Sequence, residues 1–516
     1  MAIRRYIANQ DNTITNAFEA NLTTRGTGSN MGLADSLEVF SIYAQESSAS
    51  NEQSRVLVQF PVLTTDTKTP TSLYTIQGDR NTSKIPGSGS VKFYLRGFNV
   101  AHDQTLPRDF TLVVSPVSQS WEEGYGLDME SYSNLTYGGT GSNWINASAN
   151  TVWTNVNGTT LEGGSFLSAS WNGSPETTYD EFNYKQTFAV GTEELEIDIT
   201  GLVEKWLATD YSNYGIGIML TASQESGSRS YYTKKFSARD SEYFFKRPMI
   251  EARWDDSKKD HRGNFYVSSS KLSSADNLNT VYIYNYYRGQ LANFAHPNGD
   301  ISGAIYVNLF TSASGGEEVT GSPDWPVSGG HVSTGIYSAS FALDTTASVM
   351  YDRWWSGSAG SDGTIDQGTN NIIYHTGSFE PSAFSSSNSY FIPRYVTAIT
   401  NLQSEYSNDD IARLRLFTRS KDWSPTIYTV ASKEIENNFI EDAYYKIYRE
   451  VDGLDVVSYG TGSDKHTRLS YDISGSYFDL NTISLEPNYS YGIKFLYYIN
   501  GAYEEQPEIF KFRVKE

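Results

Sequence analysis

TKKFSARDSEYFFKRPMIEARWDD, Thr233 to Asp256, reads as a strand, a polar corner and a closing strand. Phe236-Ser-Ala-Arg-Asp-Ser241 is the corner. After Arg247-Pro248, residues 249–254 alternate. Ile250, Ala252 and Trp254 fall on one face and Glu251 and Arg253 on the other, the period of a half-buried strand. The charged run Asp255, Asp256, Lys258, Lys259, Asp260 then marks a domain end. Arg239 and Asp240 read as a structural pair that holds the corner.

Upstream of this closure the chain is strand after strand. Residues 1–35 form an N-terminal arm and lead-in, with Tyr6 and Phe18 among its apolar points. Either the arm lies along its own domain, or it docks on a neighbouring subunit through Arg4, Arg5, Tyr6 and Phe18. Residues 36–256 form one domain, with strands at 37–43, 54–60, 91–98, 110–117, 193–199 and 214–220. Thr200 is expected to cap a short helix that turns Leu202, Val203, Trp206 and Leu207 inward.

A Gly/Ser/Asn/Trp-rich excursion, residues 125–179, interrupts this domain; a loop of that length inside a compact fold is often functional. Its Trp144, Trp153 and Trp171, with Tyr125, are candidate ligand-binding residues that would stack on a sugar or anchor a subunit. The alternative is a small core under the loop.

Downstream, residues 257–380 have the strand spacing of a small immunoglobulin-like sandwich, and Pro381 to Asn388 reads as a linker or corner. Residues 381–516 form a second immunoglobulin-like or fibronectin-like sandwich. Its strongest local signal is the hairpin Tyr491 to Tyr503, turning at Asn500-Gly501. The fold class is therefore all-β: a jelly-roll sandwich followed by two immunoglobulin-like or fibronectin-like sandwiches.

Composition agrees. Of 516 residues 14% are aromatic, with 38 Tyr, 25 Phe and 42 Gly, which suits strands and turns and not disorder. The net charge of −21 argues against nucleic acid as a partner. The absence of cysteine removes disulfides and thiolate chemistry and fits folding in a reducing cytosol. The N-terminus lacks the apolar core of a secretion signal, and no window suits a membrane-spanning helix, so no membrane insertion is expected.

Chemistry is hard to find. The six histidines are scattered without metal-ligand spacing, and nucleotide-binding and nucleophile-elbow patterns are missing. Paired acids near the excursion, such as Glu122, Glu123, Asp128, Glu176, Asp180 and Glu181, leave a glycosidase-like route, set against a solvated acidic loop. No residue is assigned a catalytic or metal-binding role, no cofactor is expected, and the chain reads as a non-enzyme.

Two resemblances sharpen this. Phe60-Pro61, Trp121-Glu-Glu-Gly124, Asp198-Ile-Thr-Gly-Leu-Val-Glu-Lys-Trp206, Tyr214-Gly-Ile216, Phe236-Ser-Ala-Arg-Asp240 and Arg247-Pro-Met-Ile250 stand in an order that resembles the disaggregatase-related (DNRLRE-type) jelly-roll domains found as carbohydrate-binding modules. The likeness spans residues 9–256 and departs from the pattern at the excursion. The opening MAIRRYIANQDNTITNAFEANLTTRGTGSNMGLADSLEVFSIYAQ, the Tyr-Ser-Gly turns and the cysteine-free string of β domains resemble a structural protein of large contractile-tailed bacteriophages, especially those of marine cyanobacteria.

The resemblance implies a virion protein made in the host cytoplasm and exposed on capsid, neck or tail. There it would decorate and stabilise the particle or attach to a host glycan. Its implied partners are other virion proteins, further copies of itself in a homo-oligomer on the particle, and a host surface polysaccharide. The alternatives are a carbohydrate-binding module of an exported surface protein and a polysaccharide-degrading enzyme.

Overall fold

The computed structural model describes the chain except residues 1, 44–50, 66–73, 101–106, 128–140, 156, 168–181, 183, 228–230, 257, 297–298, 313–318, 320–325, 345–347, 357–371, 384–393, 434–435, 463–464 and 473. The protein is nearly all β. It divides into two compact units: residues 1–256 with 397–418 and 438–516, and residues 257–396 with 419–437.

The first unit begins with β1 (Ala2–Ile7), β2 (Gln10–Thr15), β3 (Ser36–Tyr43), β4 (Asn51–Gln59), β5 (Val91–Gly97) and β6 (Phe110–Pro116). After the small hairpin β7 (Asn146–Ser148) and β8 (Thr151–Val152) come β9 (Tyr184–Phe188), β10 (Leu195–Asp198), β11 (Ile216–Leu220), β12 (Tyr231–Ser237) and β13 (Met249–Trp254). One sheet runs β1-β13-β5-β10. The other runs β12-β3-β4-β11-β6-β9, with β2 paired to β4. From β4 to β5 to β6, and again from β9 to β10 to β11, the chain switches sheets at each step, which is how a jelly roll is wound. Alternating residues of both sheets meet between them: Val56, Val58, Leu112 and Ile218 from one, Phe93, Leu95, Ile197 and Ile250 from the other.

The larger sheet is buried on its outer face too. Leu57, Val113 and Met219 point away from the main core into a second one, formed with Ile14, Trp121, Trp144, Trp153 and Phe166. A side chain at Gly217 of β11 would run into the Phe166 ring, so the alternation there leaves a glycine where the ring must lie. The helix Thr200–Leu207 buries Leu202, Val203 and Trp206. Thr200 does not cap it. Its hydroxyl accepts from the Phe93 amide (2.8 Å) and donates to Asp198 (2.6 Å), tying the helix start to β5.

The second unit is built on one six-stranded antiparallel sheet. Its elements are β14 (Asn279–Tyr284), the hairpin β15 (Tyr286–Tyr287) and β16 (Gln290–Leu291), β17 (Ala304–Phe310), β18 (Val327–Ser333), β19 (Ile336–Phe341), β20 (Met350–Ser356) and β21 (Ile372–Phe379). The sheet order is β14-β19-β18-β17-β20-β21. Phe265, Phe341, Phe379 and Trp354 fill one face, and the helix Ile427–Ser432 lays Tyr428 and Ala431 against Tyr282 and Ile336.

The remaining strands are β22 (Tyr395–Ile399), β23 (Glu405–Ser407), β24 (Ile411–Ser420), β25 (Ala443–Arg449), β26 (Asp455–Val457), β27 (Ser470–Asp472), β28 (Gly475–Asn481), β29 (Ser490–Ile499), β30 (Ala502–Glu505) and β31 (Phe510–Lys515). They make a second sandwich within the first unit, with sheets β22-β24-β28-β27 and β23-β31-β29-β25-β26, and β30 beside β29. Phe478 of one sheet meets Phe495 of the other at 6.1 Å.

Candidate functional site

The outward face of the β1-β13-β5-β10 sheet carries charge because its strands alternate. Ile250 and Ala252 enter the core while Glu251 and Arg253 point out, and on β10 Leu195 and Ile197 enter while Glu196 points out. Register then sets opposite charges side by side: Arg5 stands opposite Glu251, and Arg96 opposite Glu196.

This face is not left to solvent. Arg468, Glu441 and Tyr471 of the terminal sandwich lie on it. Arg468 Nη1 is 2.9 Å from Glu196 Oε2, Arg253 Nη1 is 2.5 Å from Glu441 Oε1, and Arg5 Nη2 donates to the Tyr471 carbonyl. Within the sheet, Glu251 takes Arg5 Nε and Arg253 Nε at 2.9 Å each, and Glu196 takes Arg253 Nη2 at 3.1 Å and Arg96 Nη1 at 3.2 Å. The Arg253 guanidinium lies 3.9 Å from the Tyr94 ring and 4.5 Å from that of Tyr471. Glu251 and Arg253 are 0% and 4% exposed. Burial alone would raise the Glu196 pKa, but Arg96, Arg468 and Arg253 together outweigh it and hold the carboxyl at about 2.

Beside this lock opens a cleft of about 760 Å³. The first sandwich contributes Arg96, Glu193, Glu194 and Glu196, and the terminal one contributes Asp442, Tyr445, Tyr471 and Asp479. Tyr445, half-buried, stacks on Phe478 at 4.2 Å.

A second knot of charge lies at the corner from Phe236 to Ser241. Arg239 pairs with Asp240 (3.2 Å), as the sequence suggests, and also with Glu123 (3.0 Å). Its amide donates to Asp11 Oδ2 at 2.5 Å, and the Asp11 amide donates to Glu123 at 2.9 Å. Burial pushes the Asp11 carboxyl up to about 7 and also raises Glu123. Asp11 has no exposed surface, and the part-buried Glu123 carboxylate lies beside it. Lys234 is equally buried. Its Nζ donates to Asn99 Oδ1 and to the carbonyls of Gly191 and Glu193 at 2.6–2.8 Å, and burial lowers its pKa to about 7.

The residues singled out from sequence are scattered. Trp144 and Trp153 are buried in the second core, where Arg55 lies over the Trp144 ring and Trp153 Nε1 donates to the Asn143 carbonyl. They offer no face for a sugar. Tyr125 is 55% exposed. Trp171, Asp128, Glu176, Asp180 and Glu181 lie outside the described residues, as does most of 381–388.

Of the N-terminal residues, Arg4, Tyr6 and Phe18 pair within the first sandwich, while Arg5 also reaches the Tyr471 carbonyl of the terminal one. Arg4 binds Asp79, Tyr6 is buried and donates to Asp79 at 3.0 Å, and Phe18, half-buried, sits under Arg25 at 4.2 Å. The contacts that fasten the terminal sandwich join residues far apart in sequence, Arg253 with Glu441 and Glu196 with Arg468, and no local pattern records them. The outward Glu251 and Arg253 were the one visible trace.

Among the described residues no cluster of His, Asp or Glu is arranged to hold a metal ion, and no helix is long and apolar enough to cross a membrane. No family model matches the chain, and no curated protein matches it. Among solved structures it is similar to a chimeric titin Z1Z2 carrying a decorin peptide, at 11% identity and TM-score 0.18, covering 46% of this chain and 89% of that one. It is also similar to the E. coli alpha-2-macroglobulin at 8% identity and TM-score 0.15, covering 89% of this chain and 21% of that one. At these TM-scores neither likeness bears on fold or function.

Proposed function

We propose that this chain is a non-enzymatic structural protein of a bacteriophage virion, exposed on capsid, neck or tail. There it decorates and stabilises the particle or attaches to a host surface glycan, beside other virion proteins and further copies of itself. The observation that supports this best is the ion lock. Arg5, Arg96, Arg253 and Arg468, around Glu196, Glu251 and Glu441, fasten the terminal sandwich onto the first one, and their charges are spent on holding architecture. Such a block of sandwiches suits a particle component, in which small contacts sum over many copies.

The resemblance of the opening residues to contractile-tailed phage proteins supports the same reading. Mass spectrometry and cryo-electron microscopy of purified particles test it: the chain is expected in fixed copy number at one particle location, and its absence from particles would sink the idea. A second reading, a carbohydrate-binding module of an exported surface protein, draws on the cleft beside the lock. It predicts the chain on cell surfaces and none in particles.

A further inference from the structure

We infer that Lys234 and Asn99 join in an intramolecular isopeptide bond, with Lys234 Nζ taking the place of the Asn99 side-chain nitrogen. The bond does not depend on where the protein works. Lys234 lies on β12, at the edge of the larger sheet, and has no exposed surface. Asn99 follows β5 of the other sheet and bridges to Phe236. The two residues stand 135 positions apart in the chain, yet Nζ is 2.7 Å from Asn99 Oδ1. The amide carbon is one C=O bond, about 1.2 Å, behind that oxygen. Nucleophile and carbon are therefore held as near neighbours before any reaction.

The surroundings suit a free amine. All three oxygens around Nζ are neutral: Asn99 Oδ1 and the carbonyls of Gly191 (2.8 Å) and Glu193 (2.6 Å). The Glu193 carboxylate accepts from the Val190 and Gly191 amides (2.9 and 2.7 Å) and so fixes the turn that carries both carbonyls. Burial lowers the amine's pKa to about 7, so the nucleophilic form is well populated at neutral pH. A neutral amine has two N–H bonds and one lone pair. The two carbonyls take the N–H bonds, which turns the lone pair toward the third neighbour, the Asn99 amide. The Phe188 and Phe236 rings, 4.9 and 5.3 Å from Nζ, help to keep out the water that would hydrolyse that amide instead.

The step balances without a co-reactant. The Nζ lone pair forms a bond to Asn99 Cγ, one Nζ proton passes to Nδ2, the Cγ–Nδ2 bond breaks, and ammonia leaves. Nothing is oxidised or reduced. The product ties the edge strand β12 to the end of β5 in the opposite sheet. In a chain without cysteine it supplies the cross-link that a disulfide gives elsewhere, and it limits the unfolded chain in the same way. The amide does not titrate, so the pH response of the Lys234 amine belongs to the chain before bonding.

Intact-mass spectrometry of the purified full chain tests this. The folded protein is expected to be lighter than its sequence mass by one ammonia, and a digest to contain a branched peptide joining Lys234 to Asn99. Lys234→Met and Asn99→Ala should each show their own full mass, no branched peptide and a lower unfolding midpoint. If neither variant folds, the parent's mass and digest still decide. The inference is overturned by a parent of full sequence mass, or by a Lys234 amine that a labelling reagent modifies throughout the denatured parent. It is equally overturned if the lost ammonia maps to a succinimide at an Asn-Gly pair such as Asn500-Gly501.

Discussion

Asp11 has no exposed surface, and burial holds its pKa at about 7 against an ordinary 3.8. A carboxyl raised in the folded state stabilises the fold fully below pH 3.8, and that contribution is lost as pH rises through about 7. Thermal melts at pH 5 and pH 8 should therefore show the parent losing stability with rising pH. Asp11→Asn keeps an acceptor for the Arg239 amide and should flatten that slope; an unchanged slope would show that Asp11 is ionised throughout. Lys234 acts in the next window with the opposite sign. Its pKa is lowered from 10.5 to about 7, so its contribution is present above pH 10.5 and lost as pH falls through about 7.

Trp153 makes a second prediction at the scale of one residue. It is fully buried, and Trp153→Ala should cost about 3–5 kcal/mol in denaturant unfolding, as truncations of buried large side chains do. A variant as stable as the parent would mean that the loop core is not part of the cooperative fold. The sequence left open whether this ring is exposed or in a small core, because Gly, Ser and Asn around a tryptophan suit both. Packing against Trp121, Phe166 and Met219 decided it.

Among the elements, the hairpin of β29 and β30 is the one most fully written in local sequence. Asn500 and Gly501 have φ of 51° and 87°, the left-handed pair that a two-residue turn of this type needs. A Cβ at Gly501 would meet nothing within 4 Å, so Gly501→Ala tests the backbone alone. It should destabilise by about 1–2 kcal/mol, read as a lower unfolding midpoint, with no change at the cleft. The strands of the first sandwich were legible for a similar reason: alternation in residues 54–60, 214–220 and 249–254 is a property of a few neighbours. The helix after Asp198 was legible as well. The role of Thr200 was not, because its partner Phe93 is remote in sequence.

At the scale of the molecule, the ion lock ties β1, β5, β10 and β13 to the terminal sandwich. Glu196 has its pKa lowered from 4.5 to about 2, so the stability it gives is present above pH 4.5 and is lost as pH falls through about 2. Glu196→Gln leaves Arg96, Arg253 and Arg468 with one carboxylate fewer, and removing one partner of a buried pair costs about 3–5 kcal/mol. Calorimetry at neutral pH should then show the terminal sandwich melting earlier, as a transition of its own. A single transition at the parent's midpoint would show that the lock does not couple the two sandwiches.

The sequence by itself determined that this chain is all β, which side chains of Met249–Trp254 enter the core, and where the Asn500-Gly501 hairpin turns, since each of these is settled by spacing within one element. Only the tertiary structure decided what covers the outer faces. The charged side of β13 reads as solvent-facing, and Trp144 and Trp153 read equally as exposed; both are buried by partners far along the chain. Periodicity tells a strand which face is apolar. Whether the polar face meets water or another sandwich depends on charge complementarity between residues as distant as Glu196 and Arg468, and no local pattern records that.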